Sequence, residues 1–124
     1  ILLLQYPQGH WDFPKGHVEE ADISNMATAA RELNEETGIK DIEFVPNFEF
    51  RTSYNFRHKG KLINKQVFWY IAETETMAVE ISHEHREHLW LDWNSALCQL
   101  THEESKGVLS AAMQHMSEIG KLDQ

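Results

Sequence analysis

The sequence predicts an α/β or α+β sandwich, in which helices pack against a sheet of short strands. In two segments, apolar residues recur every three or four positions, as on the buried face of a helix. Between and before these segments lie runs rich in aromatic and β-branched residues, which are typical of strands. The chain has 124 residues, of which 41% are hydrophobic, so we expect one domain spanning 1–124 around one core.

The first predicted elements are a strand, a turn and a loop. Residues 1–5 form an apolar run of strand length, and Tyr6-Pro7-Gln8-Gly9 follows as a turn. Residues 11–13 form a short extended segment, and Pro14-Lys15-Gly16 forms a loop. Because the chain opens inside an apolar run, with Ile1 rather than methionine, we expect that an N-terminal segment is missing.

Residues 24–37 predict the first helix, with Gly38 as its C-terminal stop. Its core-facing stripe is expected at spacings of three and four: Met26, Ala30, Leu33 and Thr37.

The second half of the chain predicts further strands and a final helix. Residues 42–54 and 65–72 predict two strands joined by a polar loop at 57–61, and residues 89–91 predict another short strand. Thr101 with Glu104 predicts a capping box at the start of the final helix. One face of that helix is apolar: Val108, Leu109, Ala112, Met113, Met116 and Ile119.

Composition excludes several classes of function. The net charge of −9, from 20 acidic and 11 basic residues, argues against broad binding to duplex nucleic acid or to an anionic membrane. No apolar run approaches the length needed to span a membrane. Cys98 is the only cysteine, so an intrachain disulfide is impossible, and we expect a cytoplasmic protein.

Three glutamates near the end of the first helix predict a cation site. Glu32, Glu35 and Glu36 fall within an arc of roughly 100° on the helix, and they repel one another and the helix dipole. A salt bridge from Arg31 to Glu35 offsets only part of this repulsion. A hard divalent cation such as Mg²⁺ or Mn²⁺ would remove the conflict. The alternative is a solvated acidic helix face.

Other residues offer weaker signals. Lys15 and Gly16 supply a cation and a closely approachable backbone, although such a tripeptide is usually only a turn. Trp69 lies on the strand face opposite Phe68 and Tyr70 and could stack on an adenine, with core packing as the alternative. Tyr54 is a better candidate for the edge of a cleft, unless it is an ordinary tyrosine at a strand end.

Histidines near residue 85 could suggest zinc, but the metalloprotease pattern His-Glu-any-any-His fails because Glu87 stands in place of the second histidine. We therefore interpret His83, His85 and His88 as solvated side chains.

One set of residues resembles the Nudix box: Gly16, Asp22, Arg31-Glu32-Leu33, Glu35-Glu36 and Gly38-Ile39. The sequence departs from the box in having Asp22 in place of its first glutamate, and eight residues instead of seven before Arg31. The resemblance implies a mixed sheet between helices, an α/β/α sandwich, whose first strand is missing here. It also implies Mg²⁺ or Mn²⁺ bound by Glu32, Glu35, Glu36 and the Gly16 carbonyl.

The flanking sequence is similar to that of the asymmetric diadenosine tetraphosphate hydrolases within this family. The similar segments are Leu2–Gln5, Trp11–Glu19 and Ser82–His85. This similarity implies that Glu84 is a further metal ligand or a base, that His10 and Tyr54 contact substrate, and that Lys65 binds phosphate.

The predicted reaction is in-line attack of an activated water on a polyphosphate, which would convert diadenosine tetraphosphate to ATP and AMP. Glu32 and Glu36 would hold metal, Glu35 would ligate or act as base, and Arg31 would orient the carboxylates. The base remains open among Glu32, Glu35 and Glu84. Two alternatives remain: hydrolysis of another nucleotide, such as a nucleoside triphosphate or a capped RNA 5′ end, and a nucleotide-binding module without catalysis. The expected partner is a small-molecule nucleotide substrate, with no duplex nucleic acid and no membrane, and the sequence leaves the oligomeric state open.

Overall fold

The computed structural model describes residues 1–16, 19 and 21–122. His17 and Val18, which belong to one of the family-like segments, lie outside the described residues. Within the described part, three helices and seven strands follow in this order: β1 (Leu2–Gln5), β2 (Trp11–Asp12), α1 (Asn25–Thr37), β3 (Ile42–Phe44), β4 (Phe50–His58), β5 (Lys61–Trp69), β6 (Ala72–Thr74), β7 (Glu87–Trp90), α2 (Trp93–Gln99) and α3 (Glu103–Glu118).

The strands of the described residues pair in antiparallel fashion in three groups. β1 lies between β2 and β7, with Leu3 opposite Leu89. β3 pairs with β6, and β4 pairs with β5.

Strand β1 is buried on both of its faces, which explains its uninterrupted apolar sequence. Leu3 packs with Ala96, Leu100 and Leu109 of the α2–α3 region. Leu2 and Leu4 point the other way and form a second cluster, against which Leu33 of α1 packs. Helices therefore cover both faces of the strand layer, as expected for an α/β/α sandwich.

Helix α1 begins and ends where the sequence predicts. Ser24 caps its N-terminus by accepting a hydrogen bond from Ala27 N at 3.0 Å. Gly38 ends it in the left-handed region, with φ of 79°. Thr37 is fully buried, but the prediction for Met26 is wrong because its side chain is 39% exposed. Met26 lies on the first turn, where it borders a shallow surface depression instead of the core.

The hairpin of β4 and β5 is longer than the sequence predicts. The expected loop at 57–61 is a two-residue turn, Lys59-Gly60, and both residues have positive φ. Such a turn matches the twist of the paired strands, so that pairing continues to its edge. The expected single strand at 42–54 is divided between β3 and β4, because Pro46 has no N–H to donate and Asn47 has a φ of 65°.

The C-terminal region differs from the prediction at the helix starts. Helix α2 was not predicted; Asp92 caps it by accepting from Ser95 N at 2.8 Å. The capping box at Thr101 is wrong: α3 begins after His102, and Thr101 Oγ1 instead accepts a hydrogen bond from Trp11 N. Ile119 lies just past α3 and is 43% exposed, so it does not belong to the buried face.

The buried face of α3 otherwise follows the prediction, with Met113 half-buried and these residues buried: Val108, Leu109, Ala112 and Met116. In the part of the chain that the structure describes, no helix is both long enough and apolar enough to cross a membrane.

Candidate active site

Glu36, in the last turn of α1, is a buried carboxylate with a backbone donor. Its side chain is 8% exposed, and its Oε2 accepts a hydrogen bond from Lys15 N at 3.0 Å. His85 Nε2 lies 3.7 Å from its Oε1. The loop before α1 and the segment before β7 therefore meet at this one side chain.

The surroundings of Glu36 disfavour its charged form. Burial is the largest cause, and the negative charges of Glu32 and Glu84 add to it, so that the pKa of Glu36 rises to about 8. The Lys15 amide opposes this shift only in part. The carboxylate face predicted from the sequence thus contains unbalanced negative charge, which a cation would neutralise.

Arg31 connects the other carboxylates of the site. Its Nε and Nη2 donate to the two oxygens of Asp22, at 2.9 and 3.0 Å. Its Nη1 donates to Glu32 at 2.7 Å and to Glu35 at 3.0 Å. The predicted salt bridge between Arg31 and Glu35 is therefore present, and Arg31 holds both glutamates toward itself.

Asp22 organises the loop before α1. Besides Arg31, it accepts hydrogen bonds from Glu19 N and Thr28 Oγ1, at 2.8 and 3.0 Å. The Arg31 guanidinium holds the pKa of Asp22 well below its usual range. All of these partners belong to the loop and the helix, so the aspartate fits a structural role at its position in the box.

Asp22→Asn is expected to lower the melting temperature by several degrees, because one of the two oxygens that accept from Arg31 becomes an NH₂ group, which cannot accept. Mn²⁺ affinity should stay within about threefold of wild type, because a residue with a structural role does not hold the ion. Thermal melts and Mn²⁺ titration followed by electron paramagnetic resonance would measure both effects. A large loss of Mn²⁺ affinity without loss of stability would instead indicate that Asp22 is a metal ligand.

Gly16 contacts Glu32 more closely than any residue with a side chain could. A Cβ at Gly16 would lie 1.9 Å from Glu32 Cδ. Next to it, Lys15 Nζ donates to Asp12 Oδ2 at 3.0 Å. Asp12 is buried and also accepts from Ser105 Oγ, which anchors the lysine side chain to the core.

The segment of residues 80–85 is bound to the end of α1 through the backbone. Glu80 N donates to Thr37 O at 2.9 Å, and Ser82 N donates to Glu36 O at 3.1 Å. These bonds place His85 against Glu36. They also bring exposed Glu84 near enough for its negative charge to raise the pKa of Glu36. The expectation of a solvated histidine is wrong for His85, which is buried by this packing.

The carboxylates are close but are not arranged around an ion. Among the described residues, no three His, Cys, Asp or Glu side chains form a ready metal cage. The reason is visible in the hydrogen bonds: Glu32 and Glu35 turn toward Arg31, whereas Glu36 turns toward Lys15 N.

Tyr6 is a site residue that the sequence did not reveal, because only its turn was recognisable. Its ring stacks on His10 at 4.9 Å and meets His85 edge-on at 4.7 Å. Its hydroxyl donates to Phe13 O at 2.7 Å. Burial and the nearby charge of Glu36 raise the pKa of Tyr6. The Tyr6 ring thus contacts both His10 and His85.

A cavity of about 650 Å³ lies beside the carboxylates and brings several predicted residues together. It is lined by Lys15, Gly16, Glu32, Lys65 and Trp69, among others. Trp69 Nε1 donates to Thr52 Oγ1 at 3.0 Å, and its ring packs edge-on against Phe13. The volume of the cavity lies within the range of small-ligand sites.

Tyr54 pairs directly across the hairpin with Lys65 and is 44% exposed. Because opposed residues on antiparallel strands share a face, Tyr54 and Lys65 lie side by side on one face of the hairpin. Neither Tyr54 nor His10 is among the residues that line the cavity.

Comparison with known proteins gives consistent matches over most of the chain. Residues 1–112 match the NUDIX domain family. The asymmetrical bis(5'-nucleosyl)-tetraphosphatase of Rattus norvegicus is 38% identical, covering 94% of this chain and 80% of the relative. The crystal structure of a binary complex of an Ap4A hydrolase from C. elegans aligns with a TM-score of 0.79 at 28% identity, covering 94% of this chain and 85% of that chain. An RNA pyrophosphohydrolase of Caulobacter vibrioides is 34% identical, covering 71% and 55%.

Proposed function

Because the chain belongs to the Nudix family, we propose that it hydrolyses dinucleoside polyphosphates and cleaves diadenosine tetraphosphate to ATP and AMP. The observation that carries this proposal is the buried carboxylate of Glu36, held by Lys15 N one helical turn from Glu32, which lines a cavity of about 650 Å³. The rat relative, which is 38% identical, is an asymmetrical bis(5'-nucleosyl)-tetraphosphatase by name, which supports this activity.

The residues at the site fit a hard divalent cation. Their ligand atoms are all oxygens, which Mg²⁺ and Mn²⁺ prefer. Burial raises the pKa of Glu36, and the charges of Glu32 and Glu84 add to this shift, so a bound cation would favour its ionised form. Glu32 and Glu36 would hold the ion, with Glu35, Glu84 and the Gly16 carbonyl as further ligands. When bound, the ion supplies positive charge that stabilises the phosphate oxygens and makes the attacking water more acidic.

The remaining steps belong to the chain's own groups. Lys15 and Lys65, both on the cavity, bind and orient the phosphates. Arg31 orients Glu32 and Glu35 through its hydrogen bonds. The attacking water gives its proton to one carboxylate of the set Glu32, Glu35 and Glu84, and the bond from phosphorus to the leaving phosphate oxygen breaks in line with the attack.

Tyr54 and Trp69 are the aromatic candidates for adenine binding, and His10 is a candidate contact for the second nucleoside. Tyr54 is the more available for stacking, since Trp69 is bound to Thr52 and packed against Phe13. Stacking of a base on an aromatic side chain contributes about 1–3 kcal/mol.

Tyr54→Ala is therefore expected to raise KM for diadenosine tetraphosphate by about 5- to 100-fold, with little change in kcat. Steady-state kinetics would measure this, with Tyr54→Phe retaining a low KM because the ring remains. Phe56→Ala, which removes the neighbouring exposed aromatic ring, is the matched control. An unchanged KM in Tyr54→Ala would exclude Tyr54 from the substrate site.

The activity itself is tested by chromatography of products after incubation with diadenosine tetraphosphate and Mg²⁺. We expect ATP and AMP in equal amounts. Two molecules of ADP would overturn the asymmetric position of cleavage. Binding of the nucleotide without any product, under either Mg²⁺ or Mn²⁺, would favour the alternative of a binding module.

A second candidate is hydrolysis at an RNA 5′ end, which is favoured by the similarity to the RNA pyrophosphohydrolase. The net charge of −9 opposes it, because a long RNA backbone is repelled by an acidic protein. A panel that includes 5′-triphosphorylated RNA and nucleoside triphosphates would identify the preferred substrate by kcat/KM.

A further inference from the structure

His85 has a buried nitrogen atom that is left without a partner. Its side chain is 1% exposed, and among the described residues its Nε2 has no hydrogen-bond partner. Glu36 Oε1 lies 3.7 Å from this nitrogen, which is too long for a hydrogen bond. An unpaired buried polar atom is costly, so the position of this nitrogen requires an explanation.

The hydrogen bonds around His85 favour a proton on Nε2 over one on Nδ1. Ser82 Oγ accepts a hydrogen bond from Glu84 N at 3.3 Å, which leaves the hydroxyl proton to be donated. That hydroxyl lies 3.0 Å from His85 Nδ1. With Nδ1 as the acceptor, the neutral imidazole carries its proton on Nε2. The N–H therefore points at Glu36.

The ring has little freedom to point elsewhere. Tyr6 packs edge-on against it, and His85 N donates to Ser82 O at 3.0 Å. Ser82 N is in turn bonded to Glu36 O, on the same residue that the ring faces. A shift of under about 1 Å by the carboxylate would bring Oε1 into hydrogen-bond distance of Nε2.

We propose that His85 is a positioning residue, which donates from Nε2 to Glu36 Oε1 when the carboxylate holds a cation. Lys15 N already donates to Oε2. Each oxygen would then accept one N–H and keep a lone pair for the ion, and the carboxylate would be fixed from two sides. This inference rests on the proposed function, which gives the cation its role in hydrolysis, but its tests do not require substrate.

Four variants separate the role of the nitrogen from that of the ring. His85→Phe keeps an aromatic ring and removes both nitrogens, whereas His85→Gln places an amide N–H near the position of Nε2. Ser82→Ala removes the hydroxyl that fixes the tautomer. His83→Phe, at an exposed histidine on the same segment, is the matched control.

Two measurements on the protein test the proposal. In the metal-free protein, ¹⁵N NMR of the His85 ring is expected to show the tautomer protonated on Nε2, and Ser82→Ala is expected to lose that preference. By electron paramagnetic resonance, His85→Phe is expected to bind Mn²⁺ about 10- to 100-fold more weakly. His85→Gln should recover most of this affinity, and His83→Phe should match wild type.

A wild-type ring protonated on Nδ1 would overturn the proposal, as would equal Mn²⁺ affinity in His85→Phe and His83→Phe. If His85→Phe does not fold, as judged by near-ultraviolet circular dichroism, the tautomer and the affinities of His85→Gln and Ser82→Ala decide. If wild type cleaves no dinucleoside polyphosphate, the proposed function fails, while the tautomer and Mn²⁺ affinity still judge His85.

Discussion

Glu36→Gln is expected to lower kcat for diadenosine tetraphosphate by about 10³-fold, because glutamine has no charge with which to hold a divalent cation at the phosphates. The amide oxygen can still accept the hydrogen bond from Lys15 N, so the loop before α1 should keep its place. Product chromatography and steady-state kinetics with Mg²⁺ would measure the loss. Near wild-type kcat in this variant would remove Glu36 from the reaction.

The same substitution is expected to stabilise the metal-free protein at pH 8. The folded-state pKa of about 8 exceeds the ordinary value of 4.5. Between these values the folded chain keeps a proton that the unfolded chain has released, so wild-type stability falls as pH rises through this window. Glutamine has no such proton, and we expect a gain of up to about 4 kcal/mol at pH 8 and almost none at pH 4.5.

Urea unfolding of the metal-free proteins at pH 4.5, 6 and 8 would measure this gain. Glu35→Gln, on the same helix but 54% exposed at its side chain, is the control and should not change the pH dependence in this way. Added Mn²⁺ should stabilise wild type and not Glu36→Gln, since an ion stabilises only the folded form that binds it. Equal free energies of unfolding for wild type and Glu36→Gln at pH 8 would show that burial does not raise the pKa of Glu36.

Gly16→Ala is expected to lower kcat by about 100-fold while leaving the protein folded. The added Cβ would lie 1.9 Å from Glu32 Cδ and 2.0 Å from its Oε2. Because the obstructing atoms are the end of a flexible side chain, Glu32 can turn away without disturbing the backbone. The carboxylate would then leave its place beside Glu36, so we expect weaker Mn²⁺ binding as well as slower turnover.

Gly107→Ala, within α3, is the matched control. Among the residues that the structure describes, nothing lies within 4 Å of the position of its added Cβ, and alanine favours the helix, so a gain of about 0.4–1 kcal/mol is expected with unchanged kcat. If Gly16→Ala retained wild-type kcat and Mn²⁺ affinity, the position of Glu32 would not matter for either.

Local signals in the sequence were sufficient for the first helix and its carboxylates. Ser24 and Gly38 satisfy the ends of α1 through their own backbone neighbourhood, so they can be recognised without tertiary structure. The pairing of Arg31 with Glu35 follows from helical geometry alone. For the same reason the Asp92 cap of α2 could have been found, since Ser95 stands three residues later.

Contacts between distant parts of the chain could not be predicted. Thr101 has the local pattern of a helix cap, but its hydroxyl oxygen accepts a hydrogen bond from Trp11 N, 90 residues away. The approach of His85 to Glu36 depends on two backbone bonds between segments more than 40 residues apart. Tyr6 likewise joins the site by packing against His85, a contact that neither residue type nor spacing predicts.

The backbone bonds from Glu80 and Ser82 to the end of α1 also restrict which sequences this surface segment can accept. Proline has no N–H, so at either position it would leave a helix carbonyl without its donor and displace the carbonyl group of Glu36 or Thr37. An insertion between them would move one amide out of reach. The exposed Lys59-Gly60 turn connects the two strands of its own hairpin and is not part of these bonds to α1. A diversified library or an inserted reporter domain is therefore better placed at 59–60 than at 80–82.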